Sequence, residues 1–302
     1  MRSDLGQLVS FNNDNGLELI GIIFEPNNKN AIIIHIHGNY GNFYNNKFIW
    51  VMSQRYVEND IGFLSFNLSA HDGLCEGYDN GTLRYIGGVV ANYNESILDI
   101  DAAVRFVKQL GYSRIILQGH SLGCDKAIDY ILTHHIESLE LILLSPVDSF
   151  AVHKKWLSTH KKESVSEQLI RLKNVDSSNN GLQWLPVDEY GALGRNSEWI
   201  YKIPITRNCL ISILEGSAFK YLNLESGKDF YIKNRTFAFL GINDGLQMST
   251  QLIFKEFLQK HFKELYVVDD LNSDHDIKGI EIELTYKIIE WVKGFYQYNN
   301  SR

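Results

Sequence analysis

Short apolar runs rich in β-branched residues alternate with amphipathic helical patterns along the first half of the chain. Four such runs predict buried strands, at residues 31–36, 62–66, 114–118 and 139–144. Each run is continuous rather than alternating, which is typical of a parallel strand with both faces covered. Between the runs, apolar residues recur every three or four positions, as in a helix with one buried face. The pattern predicts an α/β fold with a mostly parallel central sheet and helices on both faces.

The alternation stops after residue 144 and resumes near residue 236. Strands at 236–240 and 264–268 and helices at 247–262 and 281–295 then complete the pattern. The stretch between is polar, in part lysine-rich, and carries single aromatic residues. A segment that cannot continue the sheet must pack over it. We therefore expect an α/β core domain of residues 1–147 and 231–302, with a mostly helical cap of residues 148–230 inserted into it.

The composition narrows the classes of function. The 302 residues carry 29 basic and 36 acidic side chains, and the net charge of −7 disfavours nucleic acid as a partner. Cys75, Cys124 and Cys209 form no CxxC pair, which favours a reducing compartment. No apolar run reaches the roughly 18 residues of a membrane span, and residues 1–11 lack the apolar core of a signal peptide. We expect a cytoplasmic protein without a membrane span; its oligomeric state is not predicted.

The strongest chemical signal is the sequence Gly119-His120-Ser121-Leu122-Gly123, which follows a predicted strand and opens a predicted helix. In a G-x-S-x-G turn the serine sits on a strained bend, which exposes its hydroxyl as a nucleophile. The glycines leave room for the close approach of strand and helix. The alternative is a serine that only caps the helix. The strand before it and the helix after it favour the nucleophile.

A second signal is the loop of residues 37–43, His-Gly-Asn-Tyr-Gly-Asn-Phe, directly after the first buried strand. Acyl transfer needs backbone N–H donors aimed at the developing oxyanion. We expect an oxyanion hole formed by the N–H groups of Asn39 and Leu122, because the glycines of the loop let the backbone approach a ligand. One alternative is a purely structural loop. The other is a metal pair at His35 and His37, but the further ligands that zinc needs are not nearby.

A serine hydroxyl needs a base that a third group holds in place. In this architecture the order along the chain is nucleophile, acid, base. His275 follows the last predicted strand and precedes the final helix, where the base is expected. Asp244 follows the strand at 236–240 and is the first candidate for the acid. Asp148, after the strand at 139–144, is the runner-up.

Four features occur together: His37-Gly38, the 119–123 turn, Gly241-x-x-Asp244, and His275. The combination resembles the α/β-hydrolase superfamily, and the similarity covers the whole chain, with the insertion as the cap. Residues 65–73 resemble the strand-4 segment of that family but depart from its common D-x-R-G-x-G sequence. Residues 121–125 with Cys124, and Ile205-Thr206-x-Asn208, are similar to a subfamily of unknown function, the DUF1749-like proteins.

The resemblance implies a serine hydrolase that cleaves a carboxylic ester or thioester through a triad of Ser121, His275 and Asp244 and an acyl-enzyme intermediate. It implies no metal and no organic cofactor. Acyl transfer or a lyase reaction with the same triad stays open as an alternative. A non-catalytic binding module with the same fold also stays open, although three filled triad positions disfavour it.

The substrate, a small molecule with an acyl group, is not identified by the sequence. Tyr40 and the aromatic residues of the insertion, among them Trp184 and Trp199, are candidates for lining an apolar substrate pocket. The alternative is that these aromatic residues only anchor the insertion on the core.

Overall fold

The computed structural model describes residues 6–174, 182–193, 199–216, 219–225 and 229–294. The strands within these ranges are β1 (Gln7–Asn12), β2 (Glu18–Phe24), β3 (Ala31–Ile36), β4 (Ile61–Phe66), β5 (Cys75–Asp79), β6 (Thr82–Ile86), β7 (Arg114–His120), β8 (Glu140–Leu144), β9 (Gly191–Leu193), β10 (Trp199–Lys202), β11 (Ile232–Phe239) and β12 (Phe262–Val268). The helices are α1 (Lys47–Glu58), α2 (Ser96–Gln109), α3 (Leu122–His134), α4 (Ser149–His160), α5 (Val165–Lys173), α6 (Arg207–Glu215), α7 (Gln251–His261) and α8 (Glu281–Val292).

Eight of the described strands form one sheet, in the order β1-β2-β4-β3-β7-β8-β11-β12. From β4 to β12 every neighbouring pair is parallel. At the other edge, β1 with β2 and β2 with β4 pair antiparallel. The predicted mostly parallel sheet is confirmed. Because parallel strands share one carboxyl edge, the loops after β3, β7, β8, β11 and β12 meet there.

Apolar side chains cover both faces of the sheet. Strand β3 is buried at every position, because its continuous apolar run faces a helix layer on each side. On one face Ile33 packs in a cluster with Met52 of α1 and Ile288 of α8. On the other face Ile34 packs with Ile100 of α2, in a cluster that also takes in α3 and α7. Successive residues of one strand therefore supply the two cores of a three-layer fold.

The segment between β8 and β11 departs from the regular alternation of strand and helix. Its described residues form α4, α5, α6 and the antiparallel pair β9–β10. Leu172, Leu210 and Phe219 belong to a separate apolar cluster that fills this segment and reaches Leu122 at the start of α3. The pair β9–β10 was not predicted, and parts of the range 148–230 lie outside the described residues.

A hairpin of β5 and β6 was also not predicted. Asn80 and Gly81 connect the two strands with φ angles of 46° and 79°. Positive φ at both central residues is the requirement of a type I′ turn, for which Asn-Gly is the preferred pair. The sequence therefore held the signal for this hairpin. A bridge between Asp79 and Leu17 attaches it to the residue directly before β2.

Within the ranges that the structure describes, no helix is both long and apolar enough to cross a lipid bilayer. Cys75, Cys124 and Cys209 are free thiols, and the last two are buried.

Candidate active site

Ser121 lies on the turn between β7 and α3, at the carboxyl edge of the sheet. Its φ is 55° and its ψ is −127°, a conformation that costs roughly 1–3 kcal/mol for a residue with a Cβ. The Ser121 N–H donates to the Leu144 carbonyl at 2.9 Å, and the Cys124 N–H donates to the Ser121 carbonyl at 2.9 Å. These bonds hold the strained bend and leave the serine side chain half-buried.

Close backbone approach requires glycine on both sides of this serine. A Cβ on Gly123 would lie 2.1 Å from the carbonyl oxygen of Ile36. A Cβ on Gly119 would lie 2.5 Å from the carbonyl oxygen of Gly123. Backbone atoms cannot move aside as a flexible side chain can, so a larger residue would push α3 away from the end of β3. The two glycines let the helix begin directly at Ser121.

The loop after β3 lies against Ser121. A Cβ on Gly38 would be 2.9 Å from the Cβ of Ser121 and 3.4 Å from its Oγ. Asn39 and Leu122 line the same cavity as the serine. The structure thus brings both residues that were predicted to supply oxyanion donors to the side of Ser121.

His37 holds the start of this loop through both ring nitrogens. Its Nε2 accepts the Leu68 N–H at 3.1 Å, so Nδ1 carries the proton and donates to the Gly38 carbonyl at 2.9 Å. Burial and the nearby Lys126 lower the pKa of His37 well below its usual value, and the ring is neutral. In the part of the chain that the structure describes, no three His, Cys, Asp or Glu side chains are grouped to hold a metal ion.

Asp72 holds the other end of the loop, and sequence reasoning did not single it out. Its carboxylate accepts hydrogen bonds from Asn42 Nδ2 at 2.6 Å, from His71 Nδ1 at 2.7 Å and from the Tyr44 hydroxyl. Burial opposes ionisation, but the bonds from Tyr44, His71 and Asn42 together lower the pKa of Asp72. Its φ is 52°, and the turn-forming pair Asp72-Gly73 was the available sequence signal.

Asp244 and His275 are brought together from the loops after β11 and β12. Nδ1 of His275 lies 2.9 Å from Oδ2 and 3.1 Å from Oδ1 of Asp244. A carboxylate only accepts, so Nδ1 carries the proton and Nε2 keeps its lone pair. Oδ1 also accepts the Leu246 N–H at 3.0 Å. Both side chains of the pair are buried, which fixes the imidazole ring in one orientation.

Backbone hydrogen bonds between these two loops set the pairing. The Ile242 N–H donates to the Leu271 carbonyl at 3.2 Å, and the Asn243 N–H donates to the Ser273 carbonyl at 3.0 Å. The loop after β11 therefore follows the loop after β12 closely, which carries the carboxylate to the imidazole.

His120 connects the Ser121 turn to the loop that carries His275. Its Nε2–H donates to the His275 carbonyl at 2.9 Å, and the two rings lie 5.0 Å apart. Burial and the adjacent His275 lower the pKa of His120. Among the hydrogen bonds of the described residues none joins Ser121 to His275, as is common in unliganded sites, where this contact tightens on substrate binding.

Asp148, the runner-up for the acid, has other partners. Its Oδ1 accepts the Ala151 N–H at 2.8 Å, and its Oδ2 accepts the Leu224 N–H at 3.0 Å. It is the N-cap of α4 and ties that helix to the chain before β11. Both oxygens are thus engaged by backbone groups rather than by His275.

Ser121 and His275 open into one cavity of about 360 Å³. One part of its wall is polar and comes from the loop after β3, with Asn39, Asn42, Asn45 and Asn46. Another part is largely apolar and comes from the segment between β8 and β11, with Val147, Val152 and Ile203. The cavity therefore offers hydrogen-bonding groups on one side and an apolar surface on the other.

The three residues predicted to contact substrate differ in position. Tyr40 lines the cavity, with a positive φ of 53°. Trp184 does not line it: the residue is 47% exposed, and its backbone pairs with Thr206. The side chain of Trp199 lies outside the part that the structure describes. Tyr190, another aromatic residue of the insertion, does line the cavity.

Solved structures of very different sequence superimpose on nearly the whole chain. The esterase Pf2001 of Pyrococcus furiosus is 15% identical, with a TM-score of 0.59 over 96% of this chain and 92% of that chain. Est1E of Butyrivibrio proteoclasticus, solved with bound ferulic acid, is 15% identical, with a TM-score of 0.62 over 94% and 97%. The alpha/beta hydrolase GrgF of Penicillium sp. sh18 is 12% identical, with a TM-score of 0.59 over 95% and 98%.

The chain has the α/β-hydrolase fold. The predicted resemblance to the α/β hydrolases is thereby confirmed at the level of the fold. No protein-family model matches the sequence, and no curated protein matches it either. The similarity to the DUF1749-like proteins therefore stays a prediction. Because identities this low establish the α/β-hydrolase fold alone, the roles of individual residues have to be argued from this chain's own geometry.

Proposed function

We propose that the protein is a serine hydrolase that cleaves a carboxylic ester or thioester through an acyl-enzyme intermediate. One observation carries the proposal: a strained, half-buried serine opens into the same cavity as a buried histidine, and that histidine is hydrogen-bonded to an aspartate. A serine hydroxyl is a weak nucleophile at neutral pH and needs such a base. The similarity in fold to the esterase Pf2001 supports an ester as the substrate class.

The hydrogen bonds of His275 determine the direction of proton transfer. Because Nδ1–H is donated to Asp244, Nε2 is the basic nitrogen and takes the proton of Ser121 as Oγ attacks the acyl carbonyl. The Asp244 carboxylate keeps this tautomer and stabilises the imidazolium. Nε2–H then protonates the leaving alkoxide or thiolate. Water, deprotonated by His275 in turn, attacks the acyl carbon, and Nε2–H returns a proton to Ser121 Oγ as the acid is released.

The negative oxygen of the tetrahedral intermediate is bound by the backbone N–H groups of Asn39 and Leu122. Leu122 begins α3, so its N–H belongs to the positive end of the helix dipole. Asn39 belongs to the loop that His37 and Asp72 hold at its two ends. Donors that are fixed before the reaction stabilise the transition state without reorganisation.

Residues 148–230 act as a cap that selects the acyl group and limits access of water. Val152, Tyr190 and Ile203 of this range line the cavity that contains Ser121, which supports the assignment. Their apolar surface suits a hydrocarbon part of the substrate. Tyr40 contributes to the same cavity from the loop after β3.

This chemistry uses only side chains and backbone groups and needs no cofactor. The substrate is a small molecule. The free thiols support a reducing location such as the cytoplasm.

A panel of p-nitrophenyl esters of graded chain length, beside acyl-CoA thioesters, tests the proposal. The wild type should release the free acid, and Ser121→Ala should lower kcat by about 10⁶ while circular dichroism shows an unchanged fold. Product analysis with alcohols added as acceptors separates hydrolysis from acyl transfer and from a lyase reaction. A Ser121→Ala variant that keeps a large part of the wild-type rate would exclude Ser121 as the nucleophile. A wild type without activity on any substrate would favour a non-catalytic binding module.

A further inference from the structure

A chain of buried polar side chains runs through the segment between β8 and β11 and ends at the cavity wall. His153 of α4 bonds to Gln168 of α5, and Gln168 bonds to Glu189 in the loop before β9. All three residues are buried. Glu189 in turn pairs with Lys161 at 3.2 Å and with Arg171 at 2.8 Å. Of the three buried residues, His153 lines the cavity that contains Ser121.

The orientation of the Gln168 amide follows from its partners. Its Nε2 lies 3.1 Å from the Glu189 carbonyl oxygen and 3.0 Å from Glu189 Oε2. Both of these atoms are acceptors, so the amide nitrogen must face them and Oε1 must face His153. Oε1 lies 2.8 Å from Nε2 of His153. Nε2 therefore carries the imidazole proton, and Nδ1 carries a lone pair.

Nδ1 of His153 is an acceptor without a donor. None of the described residues donates a hydrogen bond to it. His160 of the same helix differs, because its Nδ1 donates to the carbonyl oxygen of Trp156, four residues earlier, at 3.0 Å. Burial lowers the pKa of His153 to about 4, against the opposing effects of Gln168 and Glu189, so the ring stays neutral at neutral pH. The rings of Tyr190 and Phe219 lie 5.3 and 5.7 Å from the imidazole.

We propose that Nδ1 of His153 accepts a hydrogen bond from a hydroxyl group of the substrate, so that the enzyme prefers hydroxylated esters. This inference rests on the proposed ester hydrolase function and adds the substrate class to it. The hydrogen bonds from Glu189 through Gln168 hold the imidazole, which lines the cavity, in the tautomer that leaves Nδ1 as an acceptor. A substrate carboxylate beside Nδ1 of His153 would face the lone pair of that nitrogen and be repelled. An apolar substrate group there would leave the lone pair without a partner.

The size of the preference follows from the cost of an unpaired polar group. A site that is built to bond a hydroxyl rejects the analogue that lacks it. For one neutral hydrogen bond we expect about a tenfold preference over the matched deoxy compound. Substrates that carry the hydroxyl at different positions show which position bonds to Nδ1 of His153.

The test uses two series of esters: methyl 3-phenylpropanoate with its 2-, 3- and 4-hydroxyphenyl analogues, and benzyl acetate with its three hydroxybenzyl analogues. Binding is measured by calorimetry on the Ser121→Ala protein, and kcat/KM is measured on the wild type. At least one hydroxylated ester should bind about tenfold more tightly than its parent. The binding arm does not need turnover.

Two substitutions of His153 separate recognition from structure. His153→Gln places an amide N–H where Nε2–H was, so it keeps the bond to Gln168 but removes the Nδ1 acceptor. His153→Asn places its amide oxygen near Nδ1 and loses the bond to Gln168. Each is combined with Ser121→Ala for binding. We expect the preference to vanish in the Gln variant, and to survive in the Asn variant with a lower melting temperature.

The outcomes distinguish the two proposals. Equal affinity for every hydroxylated ester and its parent would overturn the role of His153, and so would a full preference in the Gln variant. If no ester is turned over but the preference in binding is present and lost in the Gln variant, the hydrolase proposal fails and the hydroxyl site stands. If the parent esters are hydrolysed without any preference, the hydrolase proposal stands and the hydroxyl site fails.

Discussion

Ser121 has a disfavoured backbone conformation, and the positions two residues before and after it, Gly119 and Gly123, have room only for glycine. Its φ of 55° is held by bonds to Leu144 and Cys124. The carbonyl of Ile36 leaves no room for a Cβ at Gly123. Strain of this kind persists only where the surrounding structure over-determines it, and it concentrates at functional sites. The serine is therefore positioned by local sequence, whereas its partners Asp244 and His275 are positioned by distant loops.

Two aspartates that follow neighbouring strands, Asp244 and Asp148, are candidates for the acid of the triad, and substituting each of them tests the assignment. Asp244→Asn should lower kcat by roughly 10⁴, because an amide N–H facing Nδ1 of His275 forces the proton to Nε2. Asp148→Asn should leave kcat near the wild-type value, since asparagine still caps α4 with its one amide oxygen and the lost bond from the Leu224 N–H does not involve His275. Both variants are assayed on one p-nitrophenyl ester at the same pH. A larger loss in Asp148→Asn than in Asp244→Asn would assign the acid to the loop after β8.

At the scale of elements, the loop after β3 depends on a carboxylate from the loop after β4. Asp72→Asn should lower kcat/KM by roughly 10 to 100-fold, because Asn39 is no longer held in place. Asparagine tolerates the positive φ of this residue, so the backbone is preserved. Tyr44→Phe, which removes one of the three donors, is the matched control and should have a smaller effect. Equal kcat/KM in wild type and Asp72→Asn would contradict the positioning role.

The lowered pKa of Asp72 makes the stability that its hydrogen bonds contribute depend on pH. Its pKa is lower in the folded protein than in the unfolded chain. The stabilisation is therefore complete above the unfolded pKa and is lost as the pH falls through the folded pKa. The difference in melting temperature between wild type and Asp72→Asn should shrink as the pH is lowered from neutral into the acid range. A difference that stays constant over that range would contradict the assignment.

Buried strands, the Ser121 turn and the positions of Asp244 and His275 were predictable because each follows from local pattern and chain order. Asp72 was not, since its donors Asn42 and Tyr44 lie about 30 residues away in sequence and meet it only in the folded sheet. The contacts of His153 were not predicted for the same reason. Its partner Gln168 lies on the next helix, and a helical pattern does not show which helices pack together.

At the scale of the whole molecule, the segment between β8 and β11 forms the apolar part of the cavity wall. Val152→Phe should fill part of the 360 Å³ cavity. We expect kcat/KM for long-chain esters to fall about tenfold or more, because the loss of roughly 1.4 kcal/mol of apolar contact lowers kcat/KM tenfold. The kcat/KM for the acetate ester should change little. Trp184→Ala is the control, because its side chain does not line the cavity. Equal losses for short and long esters in Val152→Phe would show that the cap does not select the acyl group.

The central claim is that Ser121 is an activated nucleophile. Fluorophosphonate labelling followed by mass spectrometry of the peptides measures this directly. We predict one adduct, on Ser121, which is absent in Ser121→Ala and forms more slowly in Asp244→Asn, because the base has the wrong tautomer. An adduct on another residue, or no adduct on the folded wild-type protein, would contradict the account.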